Sequence, residues 1–316
     1  MNDILVLAEH ARGVVSDVTR QAVTAGRELK QNNQRLVVVV IAASPDILTD
    51  AVALEGVDEV LAVRAGSAEF NADEVAAALR NVIDERRPAA VLAGHTANVM
   101  SVAPQVALTA GLGLASDVVA CEFDGDQLVA RRPFYGGKVE AELEFPAGSA
   151  FLLLRPTVWQ PSGPADTPPP VARVSAPGTA SRIENVELVN PPAGDLDITK
   201  AEIVLAIGRG VGEQENVARF EALADKMGVT LAASRPLIDA GWMPKFRQVG
   251  QSGVSVKPRL YLAFGISGAV QHIAGIKGSE KIVAVNKDPQ APIFEVADLG
   301  SVADIFEVAD ELEALW

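Results

Sequence analysis

Short apolar runs alternate with amphipathic stretches along most of the chain. "DILVLAE" (3–9), "RLVVVVIA" (35–42), "VDEVLAV" (57–63) and "AAVLAG" (89–94) have the length of strands. The second is a β-branched run suited to a central strand buried on both faces. Between them the apolar residues recur at helical spacing. Val18, Ala22, Val23 and Leu29 share one face of 17–31, and "ADEVAAALRNVIDERRP" (72–88) and "VAPQVALTAGLG" (102–113) continue the pattern. Alternating strand and helix predicts a doubly wound parallel α/β sheet.

After Gly113 the period changes. The stretch 116–145 reads as strand, Asp124-Gly125 turn, strand, Gly136-Gly137 turn and strand, and "GSAFLLLRPTVW" (148–159) reads as one more. Asp-Gly and Gly-Gly are strong hairpin signals, so an antiparallel extension of the sheet is expected here. The proline-rich stretch 160–178 is expected to hold no regular element. Alternation restarts at "KAEIVLAIG" (200–208), which puts a domain boundary near 195. The expectation is an N-terminal domain over 1–195 and a second doubly wound domain over 196–316. Predicted in the latter are strands at 202–207, 229–233, 259–264 and 281–285, helices at 213–227 and 268–275, and a long loop over 235–256.

The charge narrows the partners. Lys and Arg number 27 against 41 Asp and Glu, a net −14, which argues against nucleic acid and anionic membrane surfaces. Cys121 is the only cysteine, so no internal disulfide or thiolate metal site is expected, and it reads as a small buried apolar residue. No apolar run approaches the roughly 20 residues of a membrane span. A soluble, cytoplasmic protein without direct membrane insertion is expected.

Two glycine turns are the candidate sites. "IGRGVG" (207–212) follows a strand but has Glu213 where a dinucleotide fingerprint needs its third glycine. The next strand ends in Ser234-Arg235, not the ribose-binding acid. "FGISGAVQHIAGIKGS" (264–279) also follows a strand. There Gly265 and Gly268 permit close backbone approach, and Ser267 is placed to cap a helix or bond a phosphate oxygen. His272 then faces either a ligand crevice or the core. The polar, Gly-rich loop 239–258 carries Gly250-Gln251-Ser252-Gly253, a set of donors suited to the edge of a flat heteroaromatic ring. Asn286 and Asp304 are placed to bond a ribose or adenine, and Asp304 equally to start a helix. His10 and His95 read as structural.

Together these pieces resemble the alpha subunit of electron transfer flavoprotein. The likeness rests on "GRG" (208–210), "ASRPLIDAG" (233–241), "RQVGQSG" (247–253), "LYLAFGISGAVQH" (260–272), "VAVNKDPQAPIFEVAD" (283–298) and "GSVADIF" (300–306). A weaker likeness in the first domain comes from "VLAEH", "VLAGHT" and "RPFYGGKVEAE". The resemblance implies a C-terminal doubly wound FAD-binding domain completed by a separate beta subunit. It implies FAD contacts from Arg209, Ser234, Arg235, Val249, Gly250, Gln251 and Ser252, and from Ser267, Gly268, Ala269, Val270, Gln271 and His272. Asn286, Asp304 and Ile305 complete the set. Ser252 keeps the hydroxyl expected near the flavin N5, although the family often has threonine there. Ile276 replaces a frequent methionine. Arg235 and His272 are expected to tune the flavin potential, with no catalytic residue and no metal. The first domain lacks a glycine-rich phosphate loop and is expected to hold no nucleotide. The implied role is an electron carrier between flavin dehydrogenases, such as those acting on acyl-CoA in fatty acid oxidation, and a membrane quinone oxidoreductase. The alternatives are an NAD(P)-dependent oxidoreductase using His272 and a non-catalytic adenine-nucleotide sensor.

Overall fold

The computed structural model describes residues 3–315 apart from 12, 32, 177, 179, 180 and 188–196. The chain forms two compact units, Met1–Leu188 and Val189–Trp316. The boundary expected near 195 falls outside the described residues.

The first unit holds strands β1 (Ile4–Leu7), β2 (His10–Ala11), β3 (Val14–Val15), β4 (Leu36–Ala42), β5 (Glu59–Arg64), β6 (Ala90–Gly94) and β7 (Gly113–Val118). It continues with β8 (Ala120–Asp124), β9 (Gln127–Phe134), β10 (Val139–Pro146), β11 (Ala150–Leu154) and β12 (Val171–Ser175). Its helices are α1 (Asp17–Leu29), α2 (Ala72–Arg86) and α3 (Ala97–Ala110). A seven-stranded sheet runs β12-β5-β4-β1-β6-β11-β7, and every pairing in it is parallel. All of β4 is buried, as its unbroken apolar run requires. Leu36, Val38 and Val40 pack on the α1 side, and Val37, Val39 and Ile41 pack against α2 and α3.

Two expectations are corrected here. The strand at 150–154 does not extend an antiparallel ladder: β11 is inserted in parallel between β6 and β7. Its five residues are all buried, which only a covered sheet position satisfies. The antiparallel piece is a separate three-stranded sheet, β10-β9-β8. Its β8–β9 turn closes at Gly125 (φ +58°), where the Asp-Gly signal placed it. The proline-rich stretch also yields a strand. Val171–Ser175 pairs with Val60–Arg64 as an edge, where the prolines before it interrupt no ladder.

The second unit holds β13 (Ile203–Ile207), β14 (Thr230–Ala233), β15 (Leu260–Phe264), β16 (Lys281–Asn286) and β17 (Leu299–Val302). Its helices are α4 (Val217–Met227), α5 (Arg235–Asp239), α6 (Val270–Ala274) and α7 (Ile305–Leu315). These strands form one parallel sheet in the order β14-β13-β15-β16-β17. On one face Phe220, Leu223 and Ile305 bury against Leu205, Ile207 and Phe264. On the other, Val249, Val256, Tyr261, Ile276 and Ile293 form a second core layer. Ile276 is fully buried there, so the branched side chain is accommodated.

Candidate functional site: the carboxyl edge of the second sheet

Strand order in the second unit reverses between β13 and β15. In a doubly wound sheet that reversal leaves a crevice outside the carboxyl ends of the two strands. Both glycine turns lie there. Gly208 N donates to Phe264 O (2.9 Å) and Gly210 N to Gly265 O (3.0 Å). A Cβ on Gly208 would stand 2.4 Å from Gly265 O, and one on Gly265 would stand 2.8 Å from Gly210 Cα. Gly265 also has φ +63°, a conformation that favours glycine. The two turns are therefore in backbone contact and leave no room for side chains. Gly268 continues the clamp, since a Cβ there would meet Ile293 N at 2.3 Å, and Ile293 N donates to Ser267 O (3.0 Å).

The helix beyond this turn is shorter than predicted. It starts at Val270 after Ala269, has five residues, and takes no side-chain cap from Ser267. A helix this short aligns little more than one turn of peptide dipoles and so offers little positive charge at its start. What the turn offers is backbone and the exposed Ser267.

The loop after β14 docks on the same edge. Val249 N donates to Ala233 O (2.9 Å) and Gln251 N to Gln271 O (2.8 Å). A Cβ on Gly275 would meet Gly250 Cα at 2.6 Å, and one on Gly253 would meet Gln248 O at 2.2 Å. Gln248, 1% exposed, donates through Nε2 to Ser252 Oγ (2.8 Å) and accepts Lys245 Nζ (2.6 Å). Lys245 Nζ also donates to the Ser252 carbonyl (2.9 Å). Gln248 and Lys245 thus fix the Ser252 hydroxyl. Neither was among the predicted site residues, although a buried glutamine beside a double-glycine turn lay within the quoted motif.

The remaining residues fall along this edge. Arg209 follows β13 in a short 3-10 turn and is exposed. Ser234 is buried at the end of β14, its N–H on Ile207 O (2.9 Å). Arg235 opens α5 with its side chain 66% exposed and its Nε 3.0 Å from Asp239 Oδ2. Ala269, Val270 and Gln271 are exposed at the start of α6, whereas His272 is buried. Asn286 ends β16 with its amide engaged on both sides. Nδ2 donates to Ile266 O (2.9 Å) and Oδ1 accepts Asp288 N (3.0 Å), which ties β16 to the 265–268 turn. Asp304 takes its helix-starting role, accepting Phe306 N through Oδ1 (2.7 Å), and Ile305, the first residue of α7, is buried.

His272 Nε2 lies 2.9 Å from the hydroxyl of Tyr261, in the middle of β15 and fully buried. Burial pushes the imidazole down to about 4, with the Val249 backbone opposing weakly, so it is neutral at pH 7. Nδ1 is buried and has no hydrogen-bond partner among the described residues. Of the two placements open to His272, its ring takes the core one, with a tyrosine as partner. A tyrosine inside an otherwise apolar strand was the available signal, because a buried phenol needs a partner.

In the first unit His10 Nε2 bonds Ile41 O (2.9 Å). His95 Nδ1 lies 3.6 Å from Asp117, whose carboxyl is bound at both oxygens by Arg155. The switch-point crevice of that unit holds a carboxylate in place of glycine backbone. Glu9 accepts Thr96 Oγ1 (2.7 Å) and Asn98 Nδ2 (3.2 Å) across it. Among the described residues no group of three acids, histidines or cysteines could hold a metal, and no helix is long and apolar enough to cross a membrane.

A family model described as "Electron transfer flavoprotein domain" matches residues 4–187, and one described as "Electron transfer flavoprotein FAD-binding domain" matches 197–277. Over 318 residues the chain is 43% identical to electron transfer flavoprotein subunit alpha of Methylophilus methylotrophus, covering 99% of each. The chain belongs to the electron transfer flavoprotein alpha-subunit family. Subunits of the same name from Bacillus subtilis (34% identity, 96% of this chain and 94% of that one) and Mycobacterium leprae (35%, 99% and 97%) are similar over their whole length. The protein is thus an electron-transport flavoprotein subunit, and FAD is the cofactor of its second unit. The matched FAD-binding segment holds both glycine turns, the 248–253 loop and His272, whereas Asn286, Asp304 and Ile305 lie beyond it.

Proposed function

We propose that the chain is the FAD-binding alpha subunit of a heterodimeric electron carrier, with an N-terminal domain over 1–195 contacting a beta subunit and the cofactor site over 196–316. The observation that carries the proposal is the side-chain-free contact of Gly208 and Gly210 with Gly265 at the switch point. Turns packed this closely, with the Gly208, Gly210 and Gly265 N–H groups bonded to neighbouring strands and turns, form a side-chain-free floor to the crevice, which fits close approach of a phosphate-bearing ligand. The candidate residues span all five strand ends of the second sheet, about 19 Å at roughly 4.8 Å per strand. That reach fits an extended dinucleotide better than a mononucleotide. When bound, FAD supplies reversible electron uptake and release.

The chain's own groups divide the work. Glycine turns 208–210 and 265–268 admit the phosphates, and Ser267 and Ser234 offer hydroxyls at the rim. The 249–252 loop, fixed by Gln248 and Lys245, presents amide and hydroxyl donors to the ring edge. Arg235 supplies a positive charge, and opposite charge favours a reduced, anionic ring. Donors are flavin dehydrogenases such as those acting on acyl-CoA, the acceptor is a membrane quinone oxidoreductase, and the carrier is cytoplasmic with no turnover of its own. The NAD(P) alternative needs His272 as an acid or base, a role at odds with its burial and its bond to Tyr261.

The test is co-expression with a partner beta subunit followed by a visible spectrum and mixing with a reduced acyl-CoA dehydrogenase. A yellow heterodimer holding FAD and bleached by the dehydrogenase supports the proposal. A colourless protein that binds NADH overturns it.

A further inference from the structure

We infer that Tyr261 is a positioning residue of the cofactor site: its buried hydroxyl fixes His272 as the neutral imidazole with its proton on Nδ1. This deepens the FAD-carrier reading and rests on it only for what the Nδ1–H meets.

Counting protons at the pair assigns the tautomer. The Tyr261 side chain is fully buried, and its Oη has one hydrogen-bond partner among the described residues, His272 Nε2 at 2.9 Å. If Nε2 carried the proton and donated to Oη, the phenol proton would point at no acceptor. A buried donor left unmet bears the full cost of its desolvation. With Tyr261 donating, the hydroxyl and Nε2 are both satisfied and only the Nδ1–H lacks a full hydrogen bond, whereas the other tautomer leaves both the phenol proton and the Nδ1 lone pair unmet. The imidazole proton therefore sits on Nδ1, and the Val249 backbone also favours a proton on the ring. The third possibility, an imidazolium, would place a charge on a residue only 6% exposed with no counter-charge among the described residues acting on it. Among the described residues no carboxylate or cation acts on the imidazole from any packed element; the facing groups are the Tyr261 phenol and the Val249 backbone. Burial also holds the phenol well above its ordinary pKa, so the hydroxyl keeps its proton at every working pH.

The consequence concerns the other nitrogen. His272 is 6% exposed, and its Nδ1 is a buried polar atom without a hydrogen bond, beside the loop that carries Val249 to Ser252. With the proton there, the site offers a neutral N–H donor, which suits the carbonyl edge of an isoalloxazine ring. With the proton on Nε2 the same atom would be a lone pair, which repels such an edge. Tyr261, which contacts no candidate cofactor group itself, therefore decides the sign of the interaction.

The test uses the full chain and its heterodimer, wild type and Tyr261→Phe. Long-range proton–nitrogen NMR on 15N-histidine protein freed of cofactor reads the tautomer directly; there are three histidines, and His272→Gln assigns the signal. The wild type is expected to show a protonated Nδ1 and a bare Nε2. Tyr261→Phe is expected to shift His272 to the Nε2–H or a mixed form and to weaken FAD affinity about tenfold. Combining Tyr261→Phe with His272→Gln is expected to lose no more than the larger single loss, because the two act as a unit. A protonated Nε2 in the wild type overturns the inference, and that measurement does not depend on Tyr261→Phe folding. An unchanged tautomer in Tyr261→Phe, or a changed tautomer with unchanged FAD affinity, overturns it too. If the wild type shows the Nδ1–H form but its heterodimer binds no FAD, the tautomer assignment stands and the electron-carrier reading fails.

Discussion

Three glycine-to-alanine variants separate the two reasons for glycine at the cofactor cradle. Gly208 has an ordinary extended backbone (φ −121°), so Gly208→Ala adds only a collision, its Cβ 2.4 Å from Gly265 O. Backbone cannot rotate away as a flexible side chain would, and forced overpacking of this kind costs about 1–3 kcal/mol. Gly228, the C-cap of α4, has φ +66° and nothing within 4 Å of a new Cβ, so Gly228→Ala adds only the left-handed strain of about 1–2 kcal/mol. Gly265→Ala combines both, with φ +63° and Gly210 Cα at 2.8 Å, and is expected to cost about 2–5 kcal/mol. At about 3–5 °C per kcal/mol for a unit of this size, the midpoints fall by roughly 8, 6 and 14 °C. Scanning calorimetry of the full chain measures the three midpoints, and flavin fluorescence on dilution measures cofactor retention. Gly208→Ala and Gly265→Ala should release FAD more readily than wild type, and Gly228→Ala should not. If Gly208→Ala lies within about 0.5 kcal/mol of wild type and retains FAD, the backbone contact is not what glycine serves at this position.

The His272 imidazole, held down to about 4 against 6.5 when exposed, binds its proton later in the folded chain than in the unfolded one. Stability is expected to fall as pH drops from about 6.5 to about 4, by about 3 kcal/mol in total, and His272→Gln should remove that slope from urea titrations across the window. Arg235→Ala breaks one exposed pair with Asp239 and should change stability by less than about 1 kcal/mol, while lowering the flavin reduction potential in a redox titration. An unchanged potential would remove Arg235 from the tuning role. Burial, with Glu28 and Glu122 nearby, pushes the Cys121 thiol up to about 12. Native protein should therefore resist iodoacetamide at pH 8 and react only once urea unfolds it, as mass spectrometry can follow.

Local pattern carried the architecture. An unbroken run such as "LVVVVIA" can be satisfied only by a central strand covered on both faces, so β4 and the parallel sheets around it were legible from residues 36–42 and their like. The glycine turns, the 247–253 loop and the family likeness were legible for the same reason: each is a short, contiguous signal. Relations between distant segments were not. The apolar run at 150–154 announced a strand but not that β11 would slot between β6 and β7, because pairing partners are chosen by the whole sheet. Position alone left Asn286 and Asp304 as ligand candidates, and only packing showed that the one also ties Ile266 to Asp288 and the other also opens α7. His272 depended most on the third dimension. Only the fold brings the Tyr261 hydroxyl to its Nε2 and water exclusion to its ring, and those two facts together fix its charge and the nitrogen that carries its proton.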